Sequence, residues 1–207
     1  MKNLILILLS LTPIIIHAQD LKTSPCLYAR IVLMTDVSGS MRGSEAKVIQ
    51  AHRFYIDELP IEKDKIKVAL SYFDSDMDWF NFSDSRDSLK MNLFFHDIRG
   101  FGGGTNLYSP LNHARELFLL ENKNIGVPYE KIIILFTDGQ IDEWTNETVG
   151  LAKKMRAEDG ITIYAIHIDS ELSNWVSVLK SISGESNYRS TRYRDITDQI
   201  KSLGPCM

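Results

Sequence analysis

The chain has little of several things, and each shortage excludes something. Lys and Arg number 23 against 27 Asp and Glu, a formal net charge of −4 over 207 residues. A basic nucleic-acid-binding surface is therefore not expected. No internal repeat and no low-complexity stretch occurs. No G-x-S-x-G is present, so a nucleophile elbow has no support. The glycine run from Gly100 to Gly104 lacks the Gly-Lys-Ser/Thr ending of a phosphate loop and forms no dinucleotide fingerprint. His52, His96, His113 and His167 are scattered, and none forms a ligand pair. They are expected at the surface or as satisfied core residues. Asp74, Asp76 and Asp78 are spaced like the opening of a calcium loop. Trp79 and Ser85 then stand where that loop needs Gly and Glu, so a hairpin turn is expected instead. The last residues carry no apolar tail, and no lipid anchor is expected there.

What is present describes a secreted, folded chain. Hydrophobic residues make up 44% and charged residues 24%, enough to bury a core. Lys2 precedes an apolar run from Leu4 to Ile16, and His17-Ala18-Gln19 follows. This reads as a signal peptide over residues 1–19, cut after Ala18 or Gln19. The run is short for a membrane span and Pro13 interrupts it. The mature chain, 20–207, is expected to be one domain with its core at about 27–203. Its location would be extracellular or, in a bacterium, periplasmic or at the cell surface. Only two cysteines occur, Cys26 and Cys206, at opposite ends of the mature chain. In an oxidising compartment they are expected to pair. Closing so long a loop is worth roughly 4–5 kcal/mol in the chain-entropy model. The sequons at Asn81 and Asn146 would matter only in a eukaryotic secretory pathway.

Strand-like and helix-like segments alternate. Ile31–Thr35 and Ile132–Phe136 are continuous apolar runs, suited to strands buried on both faces. Ile66–Phe73, Met77–Phe82, Ile161–Ile168 and a short Asn187–Ser190 are the other predicted strands. The turn Asp74-Ser75-Asp76 makes Met77–Phe82 an antiparallel edge strand. Helices are predicted over Gly43–Leu59, Arg86–Ile98, Asn106–Leu120, Trp144–Glu158, Leu172–Ile182 and Tyr193–Leu203. This pattern predicts an α/β fold: a doubly wound, mostly parallel sheet with helices on both faces. Ligands of such sheets sit at the carboxyl ends of the strands, where the strand order reverses.

Three loops present short oxygen side chains at such strand ends. The first is Asp36-Val37-Ser38-Gly39-Ser40, the second ends the glycine run at Thr105, and the third is Thr137-Asp138-Gly139. Hard oxygen ligands of low total charge suit Mg²⁺ or Mn²⁺ better than Zn²⁺. Gly39 and Gly102 to Gly104 would let the backbone bend close to an ion. The D-x-S-x-S of Asp36, Ser38 and Ser40, with Gly103-Gly104-Thr105 and Thr137-Asp138-Gly139, resembles the von Willebrand factor A-type domain and its metal-ion-dependent adhesion site. The resemblance covers about residues 27–203.

That resemblance implies a six-stranded sheet with one antiparallel edge strand. It implies an ion, Mg²⁺ or Mn²⁺ in preference to Ca²⁺, bound by the hydroxyls of Ser38, Ser40 and Thr105. Asp36 and Asp138 would act directly or through water. An Asp or Glu of a protein partner, in the extracellular matrix or on a cell surface, would complete the coordination. The expected role is a secreted adhesion or protein-binding module, not an enzyme. The alternative is a structural matrix or assembly subunit whose metal site mainly stabilises the fold. Trp144, just past Asp138, is a candidate partner contact. In some members affinity rises when the last helix slides, and a Cys26–Cys206 bond would restrain that movement.

Overall fold

The computed structural model describes residues 28–61, 65–99, 103–124, 127–139, 141, 145–168 and 173–203. The residues expected to form a signal peptide (1–19), together with Cys26, Cys206, Trp144 and Gly102, lie outside the described residues.

The strands are β1 (Ala29–Asp36), β2 (Ile66–Phe73), β3 (Met77–Ser83), β4 (Glu130–Thr137), β5 (Ile161–Ile168) and β6 (Tyr188–Thr191). The helices are α1 (Glu45–Glu58), α2 (Arg86–Arg99), α3 (Tyr108–Asn124), α4 (Thr145–Ala157), α5 (Ser173–Ser183) and α6 (Ile196–Leu203). They alternate as the sequence predicts. One sheet forms, in the order β3-β2-β1-β4-β5-β6. Only the β2–β3 pair is antiparallel, with Phe73 opposite Met77 across the short turn.

Burial explains why β1 and β4 read as unbroken apolar runs. Every residue of β1 is buried, and so are Ile132 to Thr137 of β4. Alternate residues feed two separate cores, because strand side chains point to opposite faces. Ile31, Leu33, Ile134 and Phe136 join α1, α2 and α6 through Val48, Leu89 and Ile200. Val32, Met34, Ile133 and Leu135 join α3, α4 and α5 through Leu111, Met155 and Leu179. Three helices on each side thus cover the sheet.

Arg30 is the exception inside β1, at 1% exposure. Its Nε donates to Glu121 of α3 at 3.1 Å, and its Nη1 donates to the carbonyls of Ala29 and Lys65. The guanidinium lies 5.4 Å from the Tyr129 ring centre. Its charge is therefore satisfied at the starting end of the strands, away from the oxygen-bearing loops.

The order of the strands decides where those loops meet. The chain runs outward from β1 to β2 and β3, then returns to place β4 on the other side of β1. The strand order reverses between β1 and β4. Their register sets Thr35 beside Phe136, so Asp36 and Thr137 leave the sheet as neighbours.

Candidate metal centre

Asp36 ends β1 with its side chain fully buried. Its Oδ1 accepts from the Ser38 N–H at 2.9 Å, and its Oδ2 accepts from the Thr137 hydroxyl at 2.6 Å. Thr137 in turn accepts from the Gly139 N–H at 2.9 Å. One hydroxyl thus joins the loop after β1 to the loop after β4. Ser38 is buried and Ser40 exposed, with their hydroxyl oxygens 3.0 Å apart. The D-x-S-x-S segment therefore turns its three oxygen side chains to one side, as a tight loop must if they are to act together.

The loop carrying Thr105 is held by its main chain. The Gly39 N–H donates to the Gly103 carbonyl at 3.1 Å, and the Asn106 N–H donates to the Asp74 carbonyl at 2.8 Å. The Gly104 N–H donates to the Ser75 hydroxyl at 2.9 Å. The β2–β3 turn is the hairpin the sequence predicts, and it also buttresses this loop. Gly103 has φ +81°, and a Cβ there would stand 3.2 Å from the Asp74 carboxyl carbon. Thr105 itself is 3% exposed.

Asp138 is 6% exposed and follows β4 directly. Its main-chain carbonyl accepts from His167 Nε2 at 2.8 Å, and His167 Nδ1 is 2.8 Å from the Tyr188 hydroxyl. Burial pulls the imidazole pKa of His167 below its usual value, against a smaller upward effect of the Asp138 carbonyl and charge. Below the site, the Thr35 hydroxyl lies 3.3 Å from His52 Nε2, and the His52 ring meets Phe136 edge-on.

Electrostatics make Asp36 the most unusual group of the set. Burial raises its pKa to about 7. The donors Ser38 and Thr137 oppose that rise, and the nearby Asp138 charge adds to it. Among the described residues, none of the groups acting on Asp36 is a cation. A desolvated carboxylate beside a second carboxylate is costly on its own. A bound divalent cation would supply the opposite charge. Among the described residues no three His, Cys, Asp or Glu side chains converge. An ion at this place must therefore draw on hydroxyls as well as carboxylates, which is the donor chemistry of a hard cation. The residues fit such an ion.

The fold thus gathers Asp36, Ser38, Ser40, Thr105 and Asp138 onto three loops joined by hydrogen bonds. The sequence reading did not single out Thr137, Ser75 or His167 as supports. Thr137 lies in the Thr137-Asp138-Gly139 motif, whereas nothing in the sequence spacing marks Ser75 or His167.

A family model described as von Willebrand factor type A domain matches residues 31–203. No curated protein matches the chain. Several solved structures share its fold. Proximal thread matrix protein 1 from the mussel byssus, with a zinc-occupied MIDAS motif, superposes with TM-score 0.73 at 18% identity, over 86% of this chain and 47% of that one. The manganese-loaded TRAP protein of Plasmodium vivax gives TM-score 0.71 at 17% identity, over 87% and 74%. The pilus adhesin SpaC from Lactobacillus rhamnosus GG gives TM-score 0.69 at 15% identity, over 85% and 29%. The chain spans about half the length of the mussel protein and under a third of the pilus adhesin.

Proposed function

This chain belongs to the von Willebrand factor type A domain family, and from that premise we propose that it is a secreted, metal-dependent protein-binding module. Asp36, Ser38, Ser40, Thr105 and Asp138 would hold one Mg²⁺ or Mn²⁺ at the strand ends. The bound ion would supply a coordination position for an Asp or Glu of the partner protein, and the chain's residues do the rest. The two carboxylates bring the ion in. The three neutral hydroxyls add ligands without further negative charge, so an incoming carboxylate is not repelled. The observation that carries this reading is the pairing of buried Asp36 with Asp138 in surroundings where, among the described residues, no cation acts on Asp36.

Relatives support the class of role. The structures sharing this fold include an adhesin and a matrix protein. Among the described residues no helix is long and apolar enough to cross a membrane. Residues 20–207 would form the mature domain, and a Cys26–Cys206 disulfide would join its ends. Trp144 would contact the partner beside the ion. The role is binding, with no catalytic step assigned.

The reading is tested by thermal unfolding of residues 20–207 with EDTA, Mg²⁺, Mn²⁺ or Ca²⁺. At a free ion concentration of about 100 Kd, binding adds about 2.7 kcal/mol, a rise of roughly 5–10 °C for a domain of this size. No rise with any ion would remove the metal from the proposal. Ser38→Ala is expected to weaken Mn²⁺ binding without abolishing it, since one ligand goes and both charges stay. Titration calorimetry reads this, and an unchanged affinity would take Ser38 off the ligand set.

A second reading is favoured by the likeness to the byssal matrix protein: a structural subunit whose ion only stabilises the fold. It shares the thermal rise. It differs in a pull-down, where the binding module retains a partner in Mg²⁺ and releases it in EDTA, and the structural subunit does not.

A further inference from the structure

His167 sits near the end of β5, the neighbour of β4 on the side away from β1. It is 1% exposed, and both ring nitrogens are engaged. The Asp138 carbonyl oxygen can only accept, so the 2.8 Å contact requires Nε2 to carry the proton. In the neutral ring Nδ1 is then the acceptor, and the Tyr188 hydroxyl at 2.8 Å must donate to it. A single line of hydrogen bonds therefore runs across three adjacent strands, from β6 through β5 to the residue following β4. Gly139 leaves room for it. Its φ is +86°, and a Cβ there would lie 3.1 Å from His167 Nε2 and 2.9 Å from the Trp175 Cβ.

We infer that His167 and Tyr188 are positioning residues for the metal loop, a latch that fixes the Asp138 peptide and so aims the Asp138 carboxylate. This rests on the metal reading above for its purpose, though not for its geometry. Outer partners of this kind orient a ligand without touching the ion. Here the partner holds the ligand residue's main chain, and its other ring nitrogen is held by a tyrosine on the edge strand. The orientation of Asp138 thus depends on β6, an element that carries none of the five ligands.

Two substitutions at one position separate positioning from packing. The amide nitrogen of Gln reaches about as far as Nε2, and that of Asn only about as far as Nδ1. His167→Gln keeps a donor for the Asp138 carbonyl and is expected to bind Mn²⁺ within about threefold of wild type. His167→Asn loses that donor and is expected to bind about 10- to 100-fold more weakly. Mn²⁺ titration reads the affinities, and unfolding in EDTA checks that both variants fold. Equal losses in the two variants would reduce His167 to a packing residue and overturn the inference.

A second measurement needs no metal. Proton–nitrogen NMR of the metal-free protein is expected to show His167 protonated at Nε2 and bare at Nδ1. Tyr188→Phe is expected to leave the proton on Nε2, which the Asp138 carbonyl fixes, and to broaden the ring signals, since the second anchor of the ring is gone. Protonation at Nδ1 alone in the wild type would overturn the latch. A wild type that binds no Mn²⁺ would sink the metal reading and the purpose of the latch with it. The ring tautomer would still report whether the latch itself forms.

Discussion

Asp36→Asn is expected to abolish the Mg²⁺- and Mn²⁺-dependent rise in melting temperature and, in EDTA above pH 7, to make the protein more stable than wild type. The two effects have one cause. Burial raises the folded-state pKa of Asp36 to about 7 from an ordinary value of 3.8. Well below pH 3.8 the group is protonated whether the chain is folded or not. As pH rises toward 7, the unfolded chain releases the proton while the folded, metal-free chain retains it. Folding then loses stability, by at most about 4 kcal/mol once pH passes 7. Asn carries no charge at any pH and avoids that loss. The depressed pKa of His167 acts with the opposite sign, costing stability as pH falls. It is present in both proteins and cancels in their difference. Urea unfolding of both proteins in EDTA at pH 5 and pH 8 measures the effect. Parallel changes in the two proteins would mean that Asp36 is not desolvated as described. In saturating Mg²⁺ the order is expected to reverse, because the wild type alone would offer the ion the Asp36 carboxylate.

Gly139→Ala is expected to be the most damaging single-methyl substitution at the site. Two costs add there. The φ of +86° lies in the left-handed region, which costs an L-residue about 1–2 kcal/mol. The added carbon would stand 2.9 Å from the Trp175 Cβ and 3.1 Å from His167 Nε2, and such overpacking costs typically about 1–3 kcal/mol. The sum is roughly 2–5 kcal/mol of stability in EDTA. The clash also pushes on the loop that carries Asp138, so metal affinity should fall as well. Gly160→Ala is the control: its φ is +66°, and a Cβ there would meet nothing within 4 Å. It should show the backbone cost alone. Equal losses in the two variants would mean that the contacts around Gly139 are not tight.

The architecture was legible because the two central strands are buried on both faces. Ile31–Met34 and Ile132–Phe136 carry no polar side chain, and an aspartate stands two positions after each run. The sequence therefore located the crevice by where apolarity stops. The predicted Ile66–Phe73 and Ile161–Ile168 match the observed strands at both ends, since turn residues bound them. Tyr193–Leu203 was read as one helix, but a single tight turn over Tyr193–Asp195 precedes the helix proper.

What stayed hidden are the supports of the site. His167 meets a main-chain carbonyl 29 positions away, and Ser75 accepts from an N–H 29 positions away. Such contacts follow from register between strands. Neither periodicity nor spacing within one segment encodes them. The sequence could nominate the residues bearing oxygens, because a hard cation would demand those side-chain types. It could not nominate the residues that hold them, because a carbonyl accepts from many donors.

The loop bearing Thr105 is fastened by Gly39 to Gly103 and by Asn106 to Asp74, in each case peptide to peptide. Side-chain replacement at these positions leaves the partners in place so long as the backbone can follow its path. Divergence can therefore rewrite most of the alphabet around the crevice while the crevice keeps its outline. A chain that shares fewer than one residue in five with the Plasmodium protein can still overlay it with a TM-score of 0.71. In this fold, resemblance in shape outlasts resemblance in spelling, because the floor of the crevice is tied together by peptide groups.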